Sequence, residues 1–108
     1  DPVPEEGLFT RSDHYRFVQQ GIPSLFLVTG YAGPGKDASA AFLASHYHRP
    51  SDDLNLPINW AAGAKFAEVN YYIVRAIADE GAAPQWYSDS FFGREFAPNA
   101  AKAMRPKT

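Results

Sequence analysis

The chain has 108 residues, 45% hydrophobic and 15% aromatic, with a formal net charge of −2. This is enough apolar content for one folded domain and excludes the disordered class, and the slight negative charge leaves no basic footprint for nucleic acid. Cysteine is absent, which rules out disulfides and thiolate zinc sites, and no apolar run approaches the ~20 residues of a membrane span.

Asp1 to Thr10 holds two prolines and a glycine and reads as an extended lead-in or loop. Its Glu5-Glu6 pair is tempting as a catalytic carboxylate, but adjacent acids in a proline-rich stretch are read here as solvated. Asp1-Pro2 stands where an initiator methionine is usual, so we expect a chain processed, trimmed or cut from a longer one. Ser12 is suited to cap a short helix over Asp13 to Gln20, Asp13 complements the positive end of its dipole, and Gly21 supplies the stop. Ile22 to Val28 is a short apolar run directly after that helix. It suits a strand buried on both faces of a largely parallel sheet, with Pro23 at its first position, where no ladder bond is lost.

Gly30, Gly33, Pro34 and Gly35 punctuate a flexible loop. It is not a phosphate-binding loop, because Gly35-Lys36-Asp37 does not complete the spacing to a Gly-Lys-Ser/Thr ending. Asp37 is placed to cap a short helical segment over Ala38 to Leu43. Leu54 to Ile58 is irregular, and Asn59 then caps the longest helix. In that helix Trp60, Ala64, Phe66, Asn70, Tyr71, Val74 and Ile77 recur at three- and four-residue steps. Gly81 ends it near Glu80. From Ala82 the chain turns rich in proline and alanine. Trp86-Tyr87, Phe91-Phe92-Gly93 and Phe96 are expected to pack back on the domain, and Ala97 to Thr108 reads as a frayed tail carrying Lys102, Arg105 and Lys107.

Chemistry concentrates in Ser45-His46-Tyr47-His48-Arg49-Pro50-Ser51-Asp52-Asp53, which holds two of the three histidines. A neutral imidazole binds a cation through one nitrogen, and a nearby carboxylate or carbonyl fixes its tautomer through the other. On spacing alone a plain surface loop, with Asp52 and Asp53 capping the next element, is the favoured reading, since one histidine-rich loop is a weak metal signal.

Two segments, in order, resemble a known family. Arg11-Ser12-Asp13-His14-Tyr15-Arg16-Phe17, with Gly21-Ile22-Pro23 after it, is similar to the Ser-Asp-His…Phe…Gly-Ile-Pro segment of the zinc aminopeptidases (metallopeptidase family twenty-eight, aminopeptidase Y type). His46-Tyr47-His48-Arg49-Pro50-Ser51-Asp52 resembles that family's Tyr-His-x-Pro-x-Asp segment. The likeness runs from about Arg11 to Glu80, and relatives include bacterial leucyl aminopeptidases, glutamate carboxypeptidases, glutaminyl cyclases and the transferrin receptor.

The resemblance implies an α/β fold, a three-layer α/β/α sandwich with a mixed, mostly parallel sheet, of which this chain supplies only the C-terminal strand or strands and helices. Residues 1–81 would be the C-terminal part of the catalytic domain and 82–108 an extension packing back on it with a frayed end. His48 matches the last metal ligand and Tyr47 a tyrosine that steadies the oxyanion. Asp13, His14 and Asp52 fall at supporting positions around the metal, and Arg11 lies where some relatives contact substrate; His46 has no counterpart among the ligands and reads as a surface residue. The cofactor implied is zinc, two ions in the complete enzyme. The family's other ligands (a His, a bridging Asp, a Glu-Glu pair and a further acid) come from upstream sequence that is not in this chain. Glu5-Glu6 lies too close to the Ser-Asp-His segment to replace them.

The expected function is therefore that of a C-terminal fragment of a di-zinc aminopeptidase, inactive alone, whose partners are a peptide substrate and the missing N-terminal part of the same protein. No nucleic acid and no membrane span are expected. A secreted or periplasmic location is implied by the family. The alternatives are a glutaminyl-cyclase-like zinc acyltransferase and a non-catalytic binding relative.

Overall fold

The computed structural model describes residues 3–107. The lead-in expected at Asp1 and Pro2, and the last residue of the expected tail, Thr108, lie outside them. Two 3-10 turns, Pro4–Glu6 and Leu8–Arg11, precede four helices: α1 Tyr15–Val18, α2 Pro34–Ser45, α3 Trp60–Asp79 and α4 Phe91–Phe96. The chain divides into two units, one from Asp1–Phe26 with Ile77–Thr108, the other from Leu27–Ala76.

The expected three-layer α/β/α sandwich is not what forms. Among the described residues there is no strand and no sheet, only one isolated parallel bridge between Tyr87 and Ala103. Ile22 to Val28, expected from its apolar run to be a buried strand, is irregular, and Ile22, Leu25, Phe26 and Val28 are exposed. A strand exists only through a neighbour that takes its amides and carbonyls, and one apolar run opposite no second run has none.

In the first unit α1 is short because it is closed on itself. Ile22 N–H donates to Phe17 O at 3.1 Å and Gly21 N–H to Val18 O at 2.8 Å, with Gly21 at φ 82°. This pair of bonds around a left-handed glycine is a Schellman closure, and it makes Gly21 the stop that the sequence suggested. The start differs: the N-cap is His14 and no side chain caps it, so the first turn hangs from the Ser12 carbonyl, which accepts from Tyr15 N–H at 3.0 Å. Val18, fully buried, is the only buried apolar side chain among the described residues.

The same unit holds an aromatic cluster. Phe92 stacks on Phe9 at 5.1 Å between ring centroids, and Tyr15 meets the edges of Phe92 and Phe96 at 5.9 and 6.2 Å. The indole N–H of Trp86 donates to Gly21 O at 2.8 Å across 65 residues of sequence. Ser90 caps α4 by accepting from Gly93 N–H at 3.2 Å. The segment after α4 is tied in. Ser88 N–H donates to Ala103 O and Ala103 N–H to Trp86 O, both at 2.9 Å. Arg105 grips Asp89 with two bonds, 2.9 and 3.1 Å, and lies 4.6 Å over the Tyr87 ring.

In the second unit α2 starts earlier than the Ala38 to Leu43 segment and absorbs part of the expected glycine loop. Pro34 occupies its first position, where a missing N–H costs nothing, and Gly33 at φ 55° leads in; Asp37 lies within the first turn instead of capping it. Asn59 caps α3 as expected, its Oδ1 accepting from Ala62 N–H at 3.0 Å. One line of α3 (Phe66, Asn70, Ile73) is half-buried, while Trp60, Tyr71 and Val74 stand exposed. No described helix is long and apolar enough to cross a membrane.

The first unit supplies two tests. A Cβ on the buried Gly93 would meet Trp86 Cβ at 2.5 Å and Cγ at 2.9 Å. Gly93→Ala should therefore lower the unfolding free energy by about 1–3 kcal/mol, read by urea denaturation with Trp86 fluorescence, whereas an unchanged midpoint would mean the contact yields freely. The hydrogen bonds from Arg105 hold the Asp89 carboxyl below its ordinary value. A depressed folded value means a contribution present above the unfolded carboxylate range and lost as pH falls through the folded value. In a carbon-13 carboxyl titration Arg105→Ala should raise the Asp89 midpoint toward the ordinary range, and salt should weaken the pairing because both groups are exposed; identical midpoints in the two proteins would refute the pairing.

Candidate functional site

The histidine stretch begins directly at the end of α2. Phe42 O accepts from both His46 N–H at 2.8 Å and Tyr47 N–H at 3.0 Å, which ends the helix. Two consecutive turns then share Arg49: Arg49 N–H donates to His46 O and Asp52 N–H to Arg49 O, each at 3.0 Å. Pro50 sits second in the latter turn, the position its fixed φ favours. In the former, His48 sits third at φ 57°, the only non-glycine residue with positive φ among those described. That region costs an L-residue roughly 1–2 kcal/mol and is usually given to glycine or asparagine.

The backbone twist has a consequence for the side chains. It lays the His48 ring on the Tyr47 ring, with centroids 3.8 Å apart and planes 21° from parallel. Phe42 meets the edge of Tyr47 at 6.1 Å and stacks on His46 at 6.4 Å. Tyr47 is 40% exposed, so its ring is held from behind while its edge reaches solvent. Asp52 joins the turn through its backbone amide and is exposed; Asp53 Oδ1 accepts from Asn55 N–H at 2.8 Å in a turn of its own. Tyr47, His48 and Asp52 are thus brought together on one double turn.

The remaining predicted residues belong to the other unit. Arg11 donates through Nη1 to Glu6 O at 3.2 Å, closing the 3-10 turns. Asp13 is exposed and its carbonyl accepts from Arg16 N–H at 3.2 Å. His14 is half-buried as an aromatic: Phe9 meets it edge-on at 4.5 Å and Phe26 stacks on it at 5.0 Å. Its Nε2 is buried with no hydrogen-bond partner among the described residues, an arrangement that costs stability unless something else meets that nitrogen. Glu5 and Glu6 are exposed, in line with a solvated pair.

Sequence reasoning missed His46 and Ser51. His46 is half-buried, and its Nδ1 lies 3.0 Å from Ser51 Oγ, one donating to the other according to the imidazole tautomer. The available signal was Pro50, whose turn folds the chain back and brings two polar side chains five positions apart within reach.

The family model for Peptidase family M28 matches residues 1–74. The chain belongs to Peptidase family M28. Its members are peptidases, so a metallopeptidase-type hydrolase function accompanies membership. No curated protein and no solved structure matches the chain.

The family is known for zinc use, and a zinc centre needs three or four nitrogen or oxygen donors converging at about 2 Å. The described residues of this M28 chain do not fit that group: no three of its His, Asp and Glu residues come together.

The positive φ of His48 gives a direct test. His48→Ala keeps the strained backbone, whereas His48→Gly relaxes it. The glycine variant should be the more stable by about 1 kcal/mol, although glycine normally costs more chain entropy. Urea unfolding monitored by helical circular dichroism decides it; an alanine variant equal to or more stable than glycine would contradict the left-handed assignment.

Proposed function

We propose that this chain is the C-terminal portion of an aminopeptidase of the M28 family, hydrolysing peptide bonds next to a free amino terminus, in a secreted or periplasmic setting. The observation that carries the reading is the double turn presenting Tyr47 and His48 side by side in a chain that matches the family over residues 1–74. Since the described residues assemble no set of three donors, the other donors and the water-activating base would come from sequence outside this chain, and the 108-residue chain alone is inactive. Its other partners would be a peptide substrate and that remaining polypeptide.

Attack on a peptide carbonyl turns its oxygen into an oxyanion, and a phenol aimed at that position stabilises charge that the substrate does not yet carry. Tyr47 suits the task because its ring meets Phe42 edge-on and stacks against His48, which restrains it. An unconstrained tyrosine would lose rotamer entropy on every turnover. His48, with its ring on the face of that phenol, would be this chain's one imidazole donor to the centre.

In the complete peptidase Tyr47→Phe should lower kcat by about ten- to a thousandfold with KM little changed, the pattern of an interaction made only in the transition state. The substrate pair should be a peptide with a free amino terminus and its N-acetylated form, the second remaining uncut. Cleavage of the acetylated peptide would exclude an aminopeptidase. Cyclisation of an N-terminal glutamine in place of cleavage would identify an acyltransferase.

A further inference from the structure

We infer that His46 and Ser51 form a positioning pair that locks the turn between them and thereby sets the placement of Tyr47 and His48. The inference rests on the reading of Tyr47 as the oxyanion donor. The two side chains bracket the site residues in sequence, and their 3.0 Å contact closes a ring over Tyr47, His48, Arg49 and Pro50. Ser51 Oγ also lies 3.5 Å from Ser45 O, which ties the same hydroxyl to the last residue of α2.

Three features give a lock a role here. His48 occupies a backbone region that resists an L-residue, so the turn has a standing tendency to relax. The stretch from Ser45 to Asn55 has no buried residue, so the ring contacts of Phe42 are its main packing support. Finally, the chain has no cysteine, so no covalent link can close the loop. A side-chain hydrogen bond spanning the strained residue reinforces the backbone bond from Arg49 N–H to His46 O that spans it as well. His46 is suited to anchor it, since its ring is stacked on Phe42 and its backbone amide is held by Phe42 O. The anchored ring therefore relates Ser51 to the helix end that also orients Tyr47.

The pair acts through Tyr47 and His48 and touches no substrate itself, so conservative rescue is the appropriate probe. In the 108-residue chain Ser51→Ala and His46→Leu remove the contact, whereas Ser51→Thr keeps the hydroxyl and His46→Asn keeps a polar atom near the Nδ1 position. Hydrogen exchange of the Arg49 and Asp52 amides should quicken by about two- to tenfold in the first two variants, the loss of one net hydrogen bond. It should stay near the parent value in the second two, and the nuclear Overhauser contacts between the Tyr47 and His48 rings should weaken and persist in parallel. Unchanged exchange in Ser51→Ala, or equal acceleration in Ser51→Thr, would overturn the pair.

In the complete peptidase, Ser51→Ala should lower kcat in the parent but not in a Tyr47→Phe background. Equal losses in both backgrounds would overturn the coupling to Tyr47. If Tyr47→Phe alone leaves kcat intact, the oxyanion assignment fails, and the coupling to catalysis with it. The exchange experiment then decides the lock on its own.

Discussion

The hydrogen bond from the Trp86 indole to the Gly21 carbonyl joins segments 65 residues apart, and the unit that contains both depends on it. Its geometry demands small residues at the contact. A Cβ at Gly21 would meet Phe96 O at 2.9 Å, and one at Gly93 would meet the Trp86 ring. Glycine at 21 also supplies the left-handed residue that closes α1 and exposes the carbonyl the indole uses. One position thus serves helix termination, close approach and long-range bonding, and the aromatic cluster of Phe9, Tyr15, Phe92 and Phe96 forms around it.

The histidine turn in the other unit is governed by a different balance. It has no buried residue to support it, so its shape comes from backbone bonds to Phe42, His46 and Arg49 carbonyls, from Pro50, and from ring stacking. These are individually modest terms of about 1 kcal/mol, yet they hold a residue in a conformation of comparable cost. A turn so finely balanced is sensitive to single substitutions, which explains why the contact between His46 and Ser51 matters although both side chains are polar and neither is fully buried.

Local signals in the sequence are legible where one residue decides the outcome. Asn59 announces the start of α3 and Gly21 the end of α1, because capping and left-handed backbone are properties of the residue itself. The strand expected at Ile22 to Val28 fails because a strand is a property of two segments. The apolar run states only that burial is available, and no second run in this chain provides the neighbour. Pro34 and the glycines around it suggest a loop for a related reason: proline inside a helix breaks it, whereas proline at the first position starts it, and only the helix-forming residues after Pro34 distinguish the two cases. The pairing of His46 with Ser51 is legible only after the turn at Pro50 has been built.

Membership of a peptidase family and the absence of any group of three donors among the described residues are compatible once activity is assigned to convergence. Hydrolysis of a peptide bond requires an activated water, a polarised carbonyl and a stabilised oxyanion within a few ångströms of one another. Tyr47 and His48 stand together on a single turn, and Arg11, Asp13 and His14 are held in a separate unit. His14 is instructive because its Nε2 is buried without a partner among the described residues, with the ring set against Phe9 and Phe26. An unpaired buried nitrogen is costly, and a water or any other polar group that reached it would recover that cost.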